Sequence, residues 1–97
     1  MLEKHIEKKF VKHVKNMGDI ILKVNTDSGN GWPDRLVLVK NSYTFPVPLF
    51  IEFKNERGVI SPVQKYRIDL LLEKNVPVFV AYDYDQAIEF YERLKSL

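Results

Sequence analysis

There is no cysteine in these 97 residues, so disulfides and thiolate metal sites are excluded. The two histidines, His5 and His13, fall on neighbouring faces of one helical pattern, and without further soft ligands they make no zinc site. No apolar run approaches the ~18 residues of a membrane span. Met1-Leu2-Glu3-Lys4-His5 leads straight into a charged helical pattern with no apolar signal-peptide core. These absences together set the expectation of a cytoplasmic protein with no membrane partner. Linkers, repeats and low-complexity segments are missing as well. So are an RNP-like motif and a Gly-rich phosphate loop, which leaves an RNA-binding or small-molecule domain without positive support. Charge of one sign is also scarce. A net +2 is too little to mark a nucleic-acid binder, so the distribution of charge matters more than its sum.

What is present is ordinary for a globular chain and wrong for a disordered one, with 45% hydrophobic and 29% charged residues. The length allows one domain over 1–97 with one modest core. Ile6, Phe10, Val14 and Met17 recur at helical spacing and predict a helix over 3–17, ended by Gly18. Ile20–Val24 reads as a strand, and 26–31 as a loop on composition. Further strands are expected over about 34–40 and 48–54, with Pro46 and Pro48 pointing to an edge or irregular start for the latter. Ser61 and Pro62 open a helix as N-cap and first helical residue, running to about Lys74 with Ile68, Leu71 and Leu72 as its apolar positions. Val76–Tyr82 is nearly continuous apolar sequence, which predicts a central strand covered on both faces. Asp85 is placed to cap a last helix whose stripe is Ala87, Phe90, Tyr91, Leu94 and Leu97. The order α-β-β-β-α-β-α implies an α/β fold, a small mixed sheet flanked by helices.

The chemistry concentrates in the two middle strands. Glu52 and Lys54 are two apart in Phe50-Ile51-Glu52-Phe53-Lys54, so they leave the same face of a strand. Burying either group alone would cost several kcal/mol. Asp34 adds a carboxylate at the start of the preceding strand. In a symmetric hairpin, a turn centred on residue 43 sets Asp34 opposite Glu52, and one centred on 44 sets it opposite Lys54. Either register gathers all three at one end of the sheet. Opposed carboxylates need neutralisation, by Lys54 or by a metal ion. Oxygen ligands of this kind suit Mg²⁺ or Mn²⁺ rather than zinc. The bland alternatives are a solvated ion pair for Glu52 and Lys54 and a turn pair for Pro33-Asp34. For Gln64 the alternative is a capping box with Ser61.

Gly31-Trp32-Pro33-Asp34, then Glu52-Phe53-Lys54, then Gln64 early in a helix, resembles the PD-(D/E)xK nuclease superfamily. Within it the chain is similar, over essentially its whole length, to the stand-alone form of the virus-type replication and repair nuclease (VRR-NUC) domain. The resemblance implies a restriction-endonuclease-like core and divalent-metal-dependent hydrolysis of DNA phosphodiesters. It implies Asp34 and Glu52 as metal ligands with the backbone carbonyl of Phe53 beside them. Lys54 would position the attacking water and stabilise charge, and Gln64 would orient Lys54 or the water. It also implies an acidic residue in the first helix. Glu7 fits best, beside the Phe10/Val14 stripe, and Glu3 one turn earlier is the competing choice. Stand-alone members resemble Holliday-junction resolvases in acting on branched DNA as homodimers, and the family carries an expectation of phage or prophage origin. Flap, nick or duplex cleavage by the same chemistry is the near alternative, and a non-catalytic DNA-binding module the distant one.

Four other residues bear on DNA. Lys8 and Lys12, with Lys4 and Lys15, form a helical stripe suited to backbone phosphates or simply to solvent. Trp32 can stack on a base or pack beneath its loop. Arg57 follows the Glu52/Lys54 strand and is within reach of phosphate.

Overall fold

The computed structural model describes residues 2–97. The elements are α1 (Glu3–Asn16), β1 (Ile20–Lys23), β2 (Arg35–Val39), β3 (Val47–Phe53), α2 (Pro62–Glu73), β4 (Val78–Ala81) and α3 (Tyr84–Lys95), the order expected from sequence. The four strands form one sheet in the order β1-β2-β3-β4. The first two pairings are antiparallel and the third parallel, so the sheet is mixed. A parallel pair requires a crossover, which α2 supplies between β3 and β4.

Alternation along the strands divides the sheet into unlike faces. Ile21, Val37, Val39, Leu49, Ile51 and Phe53 point to one side and are buried against Ile6, Phe10 and Val14 of α1 and Ala87 and Tyr91 of α3. Phe10 is the hub, its ring 5.6 Å from Phe53 and 5.9 Å from Tyr91. Asp19 pins the turn after α1 to the end of α3, accepting from the Tyr91 hydroxyl at 2.5 Å and from Lys95 Nζ at 2.9 Å. Burial pushes the Tyr91 hydroxyl pKa up, with the Asp19 carboxylate adding to the rise. Gly18, at φ +85°, ends α1 in the left-handed conformation that glycine adopts without penalty.

Three expectations are corrected and one is met. β4 is not central but lies at the sheet edge. Its apolar run reflects contact with α2 and α3 rather than strands on both sides. β3 is a central strand whose start is an edge, in keeping with Pro46 and Pro48. Pairing to β4 begins only where Phe50 donates its N–H to the Pro77 carbonyl, so Pro48 lies where β3 has a single neighbour and needs no second ladder bond. The cap of α3 is Asp83, which accepts from the Gln86 N–H at 2.8 Å, and Asp85 sits in the first turn. Met17 and Leu97 are exposed at helix ends rather than in the core.

α2 buries none of its residues fully: Ile68 and Leu71 are half-buried and Leu72 is exposed. The second face of the sheet is correspondingly open. Ile20 and Leu22 of β1 are 55% and 49% exposed, and Leu36, Leu38 and Phe50 beside them are only half-buried. At the β2–β3 tip, Asn41 Oδ1 accepts from the Tyr43 and Thr44 N–H groups and from the Thr44 hydroxyl.

Candidate metal centre

β2 and β3 pair with Arg35 opposite Ile51 and Leu36 opposite Phe50. Continued by one residue, this register puts Asp34 across from Glu52, the arrangement of a turn centred on residue 43. Asp34 Oδ2 also accepts the Phe53 N–H at 2.9 Å, which fixes the carboxylate against β3. Glu52 is 2% exposed, the one buried charged residue among those described. Its Oε2 accepts from Gln64 Nε2 at 3.0 Å and lies 3.5 Å from Lys54 Nζ. Its Oε1 is buried with no hydrogen-bond partner. A buried unpaired carboxylate oxygen is costly in a folded protein unless something absent from the chain completes it.

The third carboxylate comes from α1, and it is Glu3. Ligand oxygens of Glu3, Asp34 and Glu52 all lie within 4.8 Å of one another. Here the structure departs from the expectation at Glu7. That carboxylate accepts from Arg35 Nε at 2.7 Å and has Lys23 Nζ 3.7 Å away, so it is committed to an ion-pair network beside the cluster. Glu3 and Glu7 are one turn apart on the same helix face. Helical periodicity makes them equivalent, and only the depth at which α1 crosses the sheet end separates them.

Electrostatics follow from burial and crowding. Burial pushes the Glu52 carboxyl up to about 7, with the Asp34 carboxylate adding to the rise and Lys54 opposing it. Burial also raises Asp34, against the lowering effect of the Phe53 N–H. Carboxylates held this way keep a proton more tightly than exposed ones, and a divalent cation would offset that by supplying the missing positive charge. The all-oxygen donor set, the orphaned Glu52 oxygen and the raised carboxyls all fit a hard divalent ion.

Gln64 does two things at once. Its Oε1 accepts the Ser61 N–H at 2.9 Å while Ser61 Oγ accepts the Gln64 N–H at 3.2 Å, a complete capping box. Its Nε2 remains free to hold Glu52. The capping box, one of the two alternatives from sequence, forms in full, and the other end of the same amide bonds Glu52 rather than Lys54.

Trp32 packs rather than projects. The Arg67 guanidinium lies 4.7 Å from its ring centre, and Arg67 also donates to the carbonyls of Asn30 and Ser28. Arg67 went unnoticed in the sequence, although it follows Gln64 by three and therefore shares its helix face. Lys8, Lys12 and Arg57 are exposed. Lys8 and Lys12 border, with His5 and Lys9, a shallow pocket on α1.

A mixed four-stranded sheet with helices packed on it, and acidic groups with a lysine gathered at one end, defines a restriction-endonuclease-like α/β protein with a nuclease-type fold. The VRR-NUC domain model matches residues 2–83, and the chain belongs to that family. One similar solved structure, named "VRR_NUC domain", is 23% identical with a TM-score of 0.80, covering 93% of this chain and 94% of that one. A second, named "VRR_NUC domain protein", is 20% identical with a TM-score of 0.76, covering 99% of this chain and 92% of that one. At these identities the likeness is one of fold. No curated protein matches the chain. No helix among the described residues is long and apolar enough to cross a membrane.

Proposed function

We propose that this protein is a divalent-metal-dependent DNA endonuclease that cuts branched DNA as a homodimer. The observation that carries the reading is the buried, unpartnered oxygen of Glu52 within a three-carboxylate cluster that also holds a lysine. Asp34, Glu52 and Glu3 would hold Mg²⁺ or Mn²⁺, with the Phe53 carbonyl as the main-chain ligand. A bound ion supplies charge neutralisation, a more acidic water and stabilisation of the leaving oxygen.

The chain's own groups do the rest. The Phe53 N–H and Gln64 amide keep Asp34 and Glu52 from rotating. Lys54, 15% exposed and beside Glu52, orients the attacking water and places a fixed positive charge where the phosphorane gains negative charge. Its partial burial strengthens that effect, because the surrounding dielectric is lower than water. Lys8, Lys12 and Arg57 follow the DNA backbone, and Trp32, packed against Arg67, shapes the loop that leads to Asp34. The open sheet face of Ile20, Leu22, Leu36, Leu38 and Phe50 supports the dimer, as apolar surface that a second copy would cover. Two-fold symmetry then supplies matched sites for the paired strands of a junction.

The test is incubation with four-way junction, flap and linear duplex DNA in Mg²⁺, Mn²⁺ or EDTA, with Asp34→Ala and Lys54→Ala alongside. Symmetric, metal-dependent junction cuts lost in both variants are expected. Cutting of flap or duplex instead would replace the substrate. Binding without any cutting would turn the reading to a DNA-binding module.

A further inference from the structure

Lys23 and Arg35 are Cα partners on β1 and β2, so their side chains leave the same face of the sheet side by side. Like charges directly opposite on an antiparallel pair destabilise it. One carboxylate, Glu7, answers both, through Oε2. Its contact with Arg35 is a hydrogen bond at 2.7 Å, and its contact with Lys23 an ion pair at 3.7 Å. The trio therefore carries a surplus positive charge. Lys23 is 65% exposed, and the bond to Glu7 occupies only Nε of Arg35. The Arg35 side chain is 21% exposed.

The location of this surplus gives it a use. Arg35 immediately follows Asp34 in the chain, and Glu7 is one helical turn after Glu3, so the trio flanks the carboxylate cluster along two elements. Burial raises the Asp34 carboxyl, and Lys23 is near enough for its charge to oppose that rise. Lys54, 15% exposed, is on β3's side of the cluster, 3.5 Å from Glu52. A DNA strand whose scissile phosphate meets the cluster must carry its next phosphate past one side of it. On the side of β1 the groups waiting are the exposed Lys23 ammonium and the partly exposed Arg35 guanidinium, a side chain suited to binding phosphate oxygens in pairs.

We propose that Lys23 and Arg35, held apart and aimed by Glu7, form the subsite for the phosphodiester adjacent to the scissile one. This rests on the nuclease reading above. Glu7 is then a positioning residue, and the repulsion between the two cations is relieved by the anionic substrate.

The experiment measures cleavage kinetics and the salt dependence of binding for wild type, Lys23→Gln, Lys23→Arg and Lys74→Gln. The DNA is a four-way junction and a linear duplex, with binding measured in Ca²⁺. Lys23→Gln should raise KM about 3- to 10-fold, more than it lowers kcat, and reduce the slope of log K against log salt by ~0.9, the loss of one phosphate contact. Lys23→Arg should restore both values. Lys74→Gln, at the far end of α2, removes the same charge and should leave the slope unchanged, which separates a local contact from net charge. A Lys23→Gln protein with wild-type KM and slope overturns the subsite while leaving the nuclease reading standing. A wild-type protein that neither binds nor cuts either DNA overturns both.

Discussion

Glu52 is where the sequence and its environment disagree most, and its protonation should be visible in stability. Its folded pKa, about 7, stands above the ordinary 4.5. Between those values the folded state holds a proton that the unfolded state has released. Stability of the metal-free protein therefore falls as pH rises across that window, by roughly 1–3 kcal/mol, and flattens above it. Asp34, raised for the same reason, adds in the same direction. Glu52→Gln should abolish most of this slope and raise the melting temperature of the metal-free protein at pH 8. Denaturant melts across pH 4–8 in EDTA would read it, and a slope of opposite sign would refute the buried-carboxyl account.

Glu3 and Glu7 can be separated by the same kind of measurement. An ion that binds only the folded state raises stability by about 2.7 kcal/mol at 100 times its Kd. Glu3→Gln should lose most of the Mg²⁺- or Mn²⁺-induced rise in melting temperature, and Glu7→Gln should keep it. The reverse outcome would return the α1 ligand to Glu7. Sequence alone could not choose, because both acids occupy one face of one helix. What decides is Arg35, whose claim on Glu7 is tertiary.

Among elements, α2 is the most telling, since it is held less by burial than by its first turns. Ser61 and Gln64 cap it, Gln64 reaches Glu52, and Arg67 holds the loop that leads to Asp34. Gly31, at φ +84°, lies in that loop, and a β-carbon there would come within 2.9 Å of Val63 on α2. Gly31→Ala should cost about 1–3 kcal/mol and weaken cleavage, because the strain falls between the elements that carry Asp34 and Gln64. Stability near wild type, measured by urea titration, would count against that coupling.

The same scale shows what sequence could reveal. Element types and order were legible from periodicity and caps. The hairpin register was legible only to within a pair of choices, because centres at 43 and 44 differ by a two-residue slip that keeps every side chain on its own face. Alternation is blind to that difference. The edge position of β4 was hidden for a related reason: an apolar strand records that it is covered, not whether strands or helices cover it.

At the scale of the whole molecule, one sheet face is closed by α1 and α3 and the other is partly bare. Contiguous apolar surface of this kind marks an interaction site more often than chance. With a second copy as the occupant, wild type should elute as a dimer and Leu22→Glu/Leu38→Glu as a folded monomer, by light scattering with unchanged circular dichroism. A monomeric wild type at high micromolar concentration would remove the dimer from the proposal. The cluster lies on one protomer's strands and helix, so the monomeric variant should retain metal-induced stabilisation while losing paired cuts.

Asn41 gives the hairpin a consequence that reaches well beyond its tip. By accepting from the Tyr43 and Thr44 N–H groups, it shapes the turn centred on residue 43 that goes with the observed pairing, where alternation along the strands fits a centre at 44 as well. The rejected pairing would set Asp34 against Lys54 and leave Glu52 without its neighbour, a chain correctly layered but out of phase. Such a conformer would keep its helix and strand content and be silent to spectroscopy of the backbone. Its signature would be a fraction of molecules that never respond to metal, and Asn41→Ala, at the opposite end of the strands, is the variant expected to enlarge it.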